Sequence, residues 1–200
     1  DALSLITPYF MAFSQAELID YYKRVAAATS LPIMMYNIPA RTGNSLQPKS
    51  VAELAKESNI VGIKDSSGSF DLILQYLRAT ATENFSVLSG NDGLILSTLM
   101  AGGKGTVSAM ANICPEAVTA IYKHWKAGDY EKAEQAQRVL RVARQALRLG
   151  TQPAALKAFV NKLGLAVGQA RGPVRPLTAD EESELDRIVQ EYKTSLTTLP

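Results

Sequence analysis

Apolar residues fall into two rhythms along the chain. Short runs rich in Ile, Val, Leu and Met occupy residues 2–7, 32–36, 60–64, 85–89 and 105–108. Each has the length and composition of a buried strand. Between these runs, apolar residues recur every three or four positions behind helix-start chemistry. Ser14 and Glu17 make a capping box ahead of the stripe Leu18, Tyr21, Tyr22 and Val25. Pro48 and Ser50 precede Val51, Leu54 and Ala55, and Ser69 precedes Leu72, Ile73, Tyr76 and Leu77. Strands joined through helices run parallel, and right-handed crossovers lay those helices over the sheet.

After Asn112 the strand rhythm stops, and the pattern predicts helices over 115–126, 130–149, 154–163 and 179–193. Gly128-Asp129 and Gly150-Thr151-Gln152-Pro153 break them, and Thr178 with Glu181 caps the last one after a Pro-rich link. Five strand units are too few to close an eight-fold strand–helix barrel, which takes about 200 residues for its units alone. Two architectures fit: an open five-stranded parallel sheet with a helical appendage, or the C-terminal part of a barrel. The chain starts at Asp1 without Met, as a piece of a longer polypeptide would.

Composition narrows the function classes. The 200 residues are 46% hydrophobic and 20% charged, with 21 basic and 19 acidic side chains. This balance describes a globular chain rather than a disordered one, and a net charge of +2 is too small to draw nucleic acid or a membrane surface to the whole molecule. No run approaches the 18 or so apolar residues of a membrane span, and no secretory leader is visible. One cysteine, Cys114, forms no internal disulfide and builds no thiolate metal site, which fits a reducing cytoplasm. His124 is the one histidine, so a Ser-His-Asp arrangement is improbable and no metal role is expected. The segment Gly102-Gly103-Lys104-Gly105-Thr106 lacks the spacing of a phosphate loop and reads as a turn before the last strand. Arg138, Arg141, Arg144 and Arg148 share one helical face, expected to be solvated or in contact with another subunit.

Lys64 ends the run 60–64, at the carboxyl edge of a parallel sheet, where such folds carry their active sites. An amine drawn into such a site becomes available as a nucleophile, as Schiff-base chemistry requires. Tyr36 ends the preceding run and is followed by a loop containing Arg41. A phenol relays protons and a guanidinium grips a carboxylate in a bidentate fork. Singly, a strand-end lysine that reaches solvent or a loop arginine is ordinary structure; the three together are more specific.

These residues also carry a family resemblance. Tyr36-Asn37-Ile38-Pro39-Ala40-Arg41-Thr42-Gly43 and Gly62-Ile63-Lys64-Asp65-Ser66-Ser67-Gly68 resemble the dihydrodipicolinate synthase and N-acetylneuraminate lyase family. Thr7-Pro8-Tyr9, Leu88-Ser89-Gly90-Asn91-Asp92, Gly102-Gly103-Lys104-Gly105 and the segments 157–165 and 172–178 resemble it in the same order. The resemblance implies an α/β fold, a TIM (β/α)8 barrel of which the chain holds the last five units over residues 1–127, and a helical C-terminal domain over 128–200. The first third or so of the family pattern would then lie upstream of Asp1.

The chemistry implied is that of a class I lyase in lysine biosynthesis, joining or cleaving pyruvate, or another 2-oxo acid, and an aldehyde. Lys64 matches the Schiff-base lysine, Tyr36 the proton-relay tyrosine, Val107 a backbone carbonyl lining the substrate site, and Arg41 the carboxylate-binding arginine of the synthases. No metal and no organic cofactor is implied, nor any nucleic-acid or membrane partner. The implied protein is a cytoplasmic homo-oligomer, a dimer or a tetramer. Two positions depart from the synthase pattern: Phe10 stands where a second relay tyrosine is usual, and Asp65 where Glu is more frequent. The Gly-Thr-Thr-Gly-Glu segment that binds the pyruvate carboxylate is not among these residues. A 2-keto-3-deoxy sugar acid aldolase or dehydratase, and a non-catalytic barrel that binds a 2-oxo acid, are the alternatives.

Overall fold

The strand runs pair in the order in which they occur. A computed structural model describes residues 1–200. Strands β1 (Leu3–Ile6), β2 (Ile33–Asn37), β3 (Ile60–Asp65), β4 (Ser86–Ser89) and β5 (Gly105–Thr106) form one sheet in the order β1-β2-β3-β4-β5, every pair parallel. When spatial order follows chain order, crossovers of one hand put every connecting helix on the same face. The core agrees. Ile33, Met35, Ile63 and Val87 pack with Leu18 and Tyr22 of α1 (Gln15–Ala27), Val51 and Leu54 of α3 (Pro48–Leu54), and Ile73 and Tyr76 of α4 (Phe70–Ala79). Each large apolar side chain removed from water there contributes about 1.5–3 kcal/mol. Met34, Tyr36, Lys64 and Leu88, on the alternate face, are only partly buried.

Strict alternation from Ile60 would turn Lys64 towards the helices, with Ile60 and Gly62. It does not, because the β2–β3 ladder slips: Ile33 pairs with Ile60 but Met34 pairs with Gly62, leaving Val61 as an extra residue. That bulge keeps Ile60, Ile63 and Asp65 on the helix face and turns Lys64 to the other.

Helix starts follow the sequence closely. Both predicted capping boxes form, at Ser14 with Glu17 and at Thr178 with Glu181, and Ser69 accepts from the Leu72 N–H. The periodicity did not reveal the one-turn α2 (Pro39–Thr42) or α5 (Ile95–Met100). The last strand is shorter than its apolar run, since after Thr106 only the Val107 N–H continues the pairing, to Ser89 O at 2.9 Å.

By internal packing the chain gathers into two compact units, Asp1–Val107 and Ser108–Pro200. The second contains α6 (Pro115–Lys126), α7 (Tyr130–Arg144), α8 (Ala154–Lys162) and α9 (Ala179–Leu196). Helix α6, which the sequence pattern placed in the helical stretch and the family resemblance with the strand units, packs here against α7. Both helices bury small residues, Ala117 and Ala120 on α6 and Ala133, Ala136 and Ala143 on α7. Helix α9 packs on α7 and α8, with the Phe159 and Tyr192 rings edge to face at 5.6 Å. No helix is long and apolar enough to cross a membrane.

Candidate functional site

Tyr36 and Lys64 are direct partners in the β2–β3 ladder. Neighbouring strands lie about 4.8 Å apart, so two side chains at paired positions on one face must touch. Here the Lys64 Nζ lies 3.8 Å from the centre of the Tyr36 ring. The amine is thus held against a phenol, one residue before both strands end.

Behind this pair, on the helix face, the next two residues form a buried polar cluster. Asn37 is 0% and Asp65 1% exposed. Asn37 Nδ2 donates to Asp65 Oδ1 at 2.7 Å, and Asn37 Oδ1 accepts from the Leu46 N–H at 3.0 Å. Asp65 Oδ2 accepts from the Ser67 hydroxyl at 2.6 Å and the Ser67 N–H at 3.2 Å. Burial pushes the Asp65 carboxyl above the usual carboxylate range, against the opposing pull of these hydrogen bonds. Tyr76 donates its hydroxyl to Leu46 O; burial, with the Asp65 charge adding to it, raises that phenol too. Sequence reasoning missed the cluster, having read Asp65 only as a departure from a pattern.

Gly90 was missed as well, and it touches the lysine. A Cβ there would sit 2.8 Å from Lys64 Cε and 3.0 Å from Asp65 O, and would overlap Ser66 Oγ. The Gly90 N–H donates to Asp65 O at 2.7 Å, which draws the β4 end in beside the lysine. The glycine leaves the room through which the lysine stem runs.

The loops beyond the strands hold the other predicted residues. Arg41 lies exposed on α2, which Gly43 closes in a left-handed conformation at φ 74°. Asn44 joins this loop to the one after β1: its Nδ2 donates to Pro8 O at 2.9 Å and Met11 O at 2.8 Å, and its Oδ1 accepts from the Phe13 N–H at 2.8 Å. Within that clamped loop Phe10 stands 97% exposed with φ 77°, between the exposed Tyr9 and Met11. Val107 is half exposed at the end of β5. Side chains of Tyr36 and Lys64 are in contact; Arg41 and Val107 occupy loops that follow strands of the same sheet.

Other candidates lie elsewhere. Gly102, at φ 103°, turns the chain into β5, and the Lys104 N–H donates to Val87 O at 3.0 Å. His124 belongs to α6 in the second unit. Of the arginine face, Arg138 and Arg141 both pair with Glu134.

Comparison with known proteins gives a consistent relation. The model of the Dihydrodipicolinate synthetase family matches residues 1–192. A 4-hydroxy-tetrahydrodipicolinate synthase of Methanosarcina barkeri is 38% identical over 193 residues, 96% of this chain and 65% of that protein. Among solved structures, the 4-hydroxy-tetrahydrodipicolinate synthase of Methylacidiphilum fumariolicum SolV superposes with TM-score 0.91 at 34% identity, over 98% of this chain and 65% of that one. YagE, a prophage protein of the dihydrodipicolinic acid synthase family from E. coli K12 solved with pyruvate, gives TM-score 0.90 at 34% identity, over 96% of this chain and 66% of that one. The chain spans just under two thirds of the length of the curated relatives it matches.

Proposed function

The chain belongs to the Dihydrodipicolinate synthetase family, and on that premise we propose that it carries the reacting pair of a Schiff-base lyase joining or cleaving pyruvate and an aldehyde. The observation that carries this reading is the Lys64 amine against the Tyr36 phenol at the ends of adjacent parallel strands. The neutral Lys64 amine adds to C2 of pyruvate, and one of its protons passes to the former carbonyl oxygen, giving a carbinolamine hydroxyl. The Tyr36 phenol protonates the departing hydroxyl, which leaves as water, and the imine forms as an iminium. The tyrosinate then takes a C3 proton, giving an enamine whose C3 attacks the aldehyde carbon while the regenerated phenol gives its proton to the aldehyde oxygen, which becomes a hydroxyl. Hydrolysis of the product imine frees Lys64. The lysine is itself the electron sink, so the cycle needs no metal or organic cofactor.

Arg41 is proposed to hold a carboxylate of the second substrate, and the Val107 carbonyl to line the same site. These roles favour a synthase-like reaction with an acidic aldehyde. Phe10, which has no hydroxyl to extend a proton relay, favours the second reading, an aldolase or dehydratase acting on a sugar-derived 2-oxo acid. We further propose that the sheet is five consecutive strands of an eight-stranded barrel over residues 1–127, followed by a helical domain over 128–200. Sequential strand order and a single helix-covered face support that architecture. The exposed Tyr9, Phe10 and Met11 support assembly into a homo-oligomer, and the single free cysteine a cytoplasmic setting.

In deuterium oxide, the full-length polypeptide should exchange the methyl protons of pyruvate without any aldehyde present, followed as loss of the proton signal. Pyruvate that binds without exchanging would instead identify a non-catalytic binding barrel. For Arg41→Ala, the Michaelis constant of the aldehyde should rise roughly 10-fold to 100-fold, the worth of a charged hydrogen bond, with that of pyruvate unchanged. Equal effects on both substrates would count against the assignment.

A further inference from the structure

The register that brings Tyr36 and Lys64 together is not inherited from the start of their ladder. The slip after Ile33 resets the β2–β3 pairing, and from there only Met34–Gly62, Met35–Ile63, Tyr36–Lys64 and Asn37–Asp65 follow. The reactive pair therefore sits one position from a ladder end, where strands fray most readily, and one step of slippage would turn either side chain to the wrong face. At that end stands the buried Asn37–Asp65 hydrogen bond of 2.7 Å.

The donor set there demands a carboxylate. Asn37 Nδ2, the Ser67 N–H and the Ser67 hydroxyl all point at Asp65, and the outer carboxylate oxygen takes both Ser67 donors. An amide at position 65 would set its own NH2 against one of these donors. Asn37 is fixed in turn by the Leu46 N–H, and the Ser66 N–H donates to Asn37 O at 2.8 Å, extending the β2–β3 connection past the ladder. A buried carboxylate costs stability unless its oxygens are filled, and these are.

We propose that Asn37 and Asp65 are positioning residues: their buried hydrogen bond clamps the ends of β2 and β3 and so fixes the register at which the Tyr36 phenol meets the Lys64 amine. The inference rests on the reading of Tyr36 and Lys64 as the reacting pair.

An exchange of the two side chains tests it. In the double variant Asn37→Asp with Asp65→Asn, the carboxylate moved to β2 accepts from the Leu46 N–H and from the amide moved to β3, whose oxygen takes the Ser67 donors. Every hydrogen bond survives while the charge moves one strand over. Asn37→Asp alone sets two carboxylates face to face, and Asp65→Asn alone, its oxygen held by the Ser67 donors, sets its NH2 against the Asn37 NH2. Each single variant should slow imine formation on Lys64, trapped by borohydride, about tenfold or more and speed amide exchange at Ser66, while the double variant should return both to within about twofold of wild type. A double variant that melts like wild type yet stays as slow as the singles would overturn the clamp and assign the effect to the Asp65 charge. Singles with wild-type trapping rates and wild-type Ser66 exchange would overturn it as well. A wild type that forms no imine would defeat the lyase reading, and the clamp would still stand or fall on the Ser66 exchange.

Discussion

Lys64→Arg is expected to abolish imine formation and turnover together, with the thermal unfolding of the protein little changed. Arginine keeps a cation over the Tyr36 ring, where the lysine nitrogen lies 3.8 Å from the ring centre. A guanidinium, however, stays protonated at any working pH and offers no lone pair to a carbonyl carbon. Lys64 is only partly buried, so its replacement disturbs little of the core. Tyr36→Phe makes the contrast: the nucleophile remains, and what is lost is proton transfer, worth about 100-fold to 10,000-fold in rate. Adduct should still accumulate in that variant, slowly. A Lys64→Arg protein that turns over at a measurable fraction of the wild-type rate would exclude covalent catalysis at this residue.

The second large effect is expected at Gly90. Its missing side chain is the space occupied by the Lys64 stem and the Ser66 hydroxyl, and the backbone of Asp65 limits retreat on the remaining side. In Gly90→Val, Ser66 rotates away at little cost, but Lys64 Cε and Asp65 O have to shift. Overpacking of this kind costs about 1–3 kcal/mol of stability. The catalytic loss should be larger, because a displacement of about 1 Å at a reacting atom lowers rates on the order of 100-fold. Measured side by side, kcat should fall by about two orders of magnitude while the protein remains folded at about 25 °C. Loss of kcat no greater than the loss of folded protein would reduce Gly90 to a packing residue.

These two positions differ in how readable they were. Lys64 announced itself because an apolar run ends in a cation, and Tyr36 because the preceding run ends in a phenol. Their place on adjacent parallel strands is the part of the fold that alternating strand and helix patterns express most directly; their contact needs the register reset as well. The helix caps at Ser14, Ser69 and Thr178 were likewise written in consecutive residues.

What the pattern hid is of a different kind. The Val61 bulge, which turns Lys64 away from the helices, lies inside a continuous apolar run, where alternation has nothing to contrast. Asn37 resembled an ordinary loop residue before Ile-Pro, and its meaning depends on Asp65 across the ladder. Gly90 stood only as one residue of a segment that carries the family resemblance, and only the approach of Lys64 from β3 reveals the need for it. Helix α2 was concealed by its Pro and Gly, which cap a single turn rather than interrupt a longer element. Each of these features is a relation between strands or a packing constraint, to which composition and period are blind.

The central claim is that Lys64 is the residue to which substrate becomes covalently attached. Incubating the full-length polypeptide with pyruvate, reducing with borohydride and mapping peptides by mass tests it most directly. The expected result is a single added pyruvate-derived group, reduced to a secondary amine, on the peptide carrying Lys64 and on no other lysine. An adduct on a different lysine, or none with pyruvate or any other 2-oxo acid offered, would contradict the account.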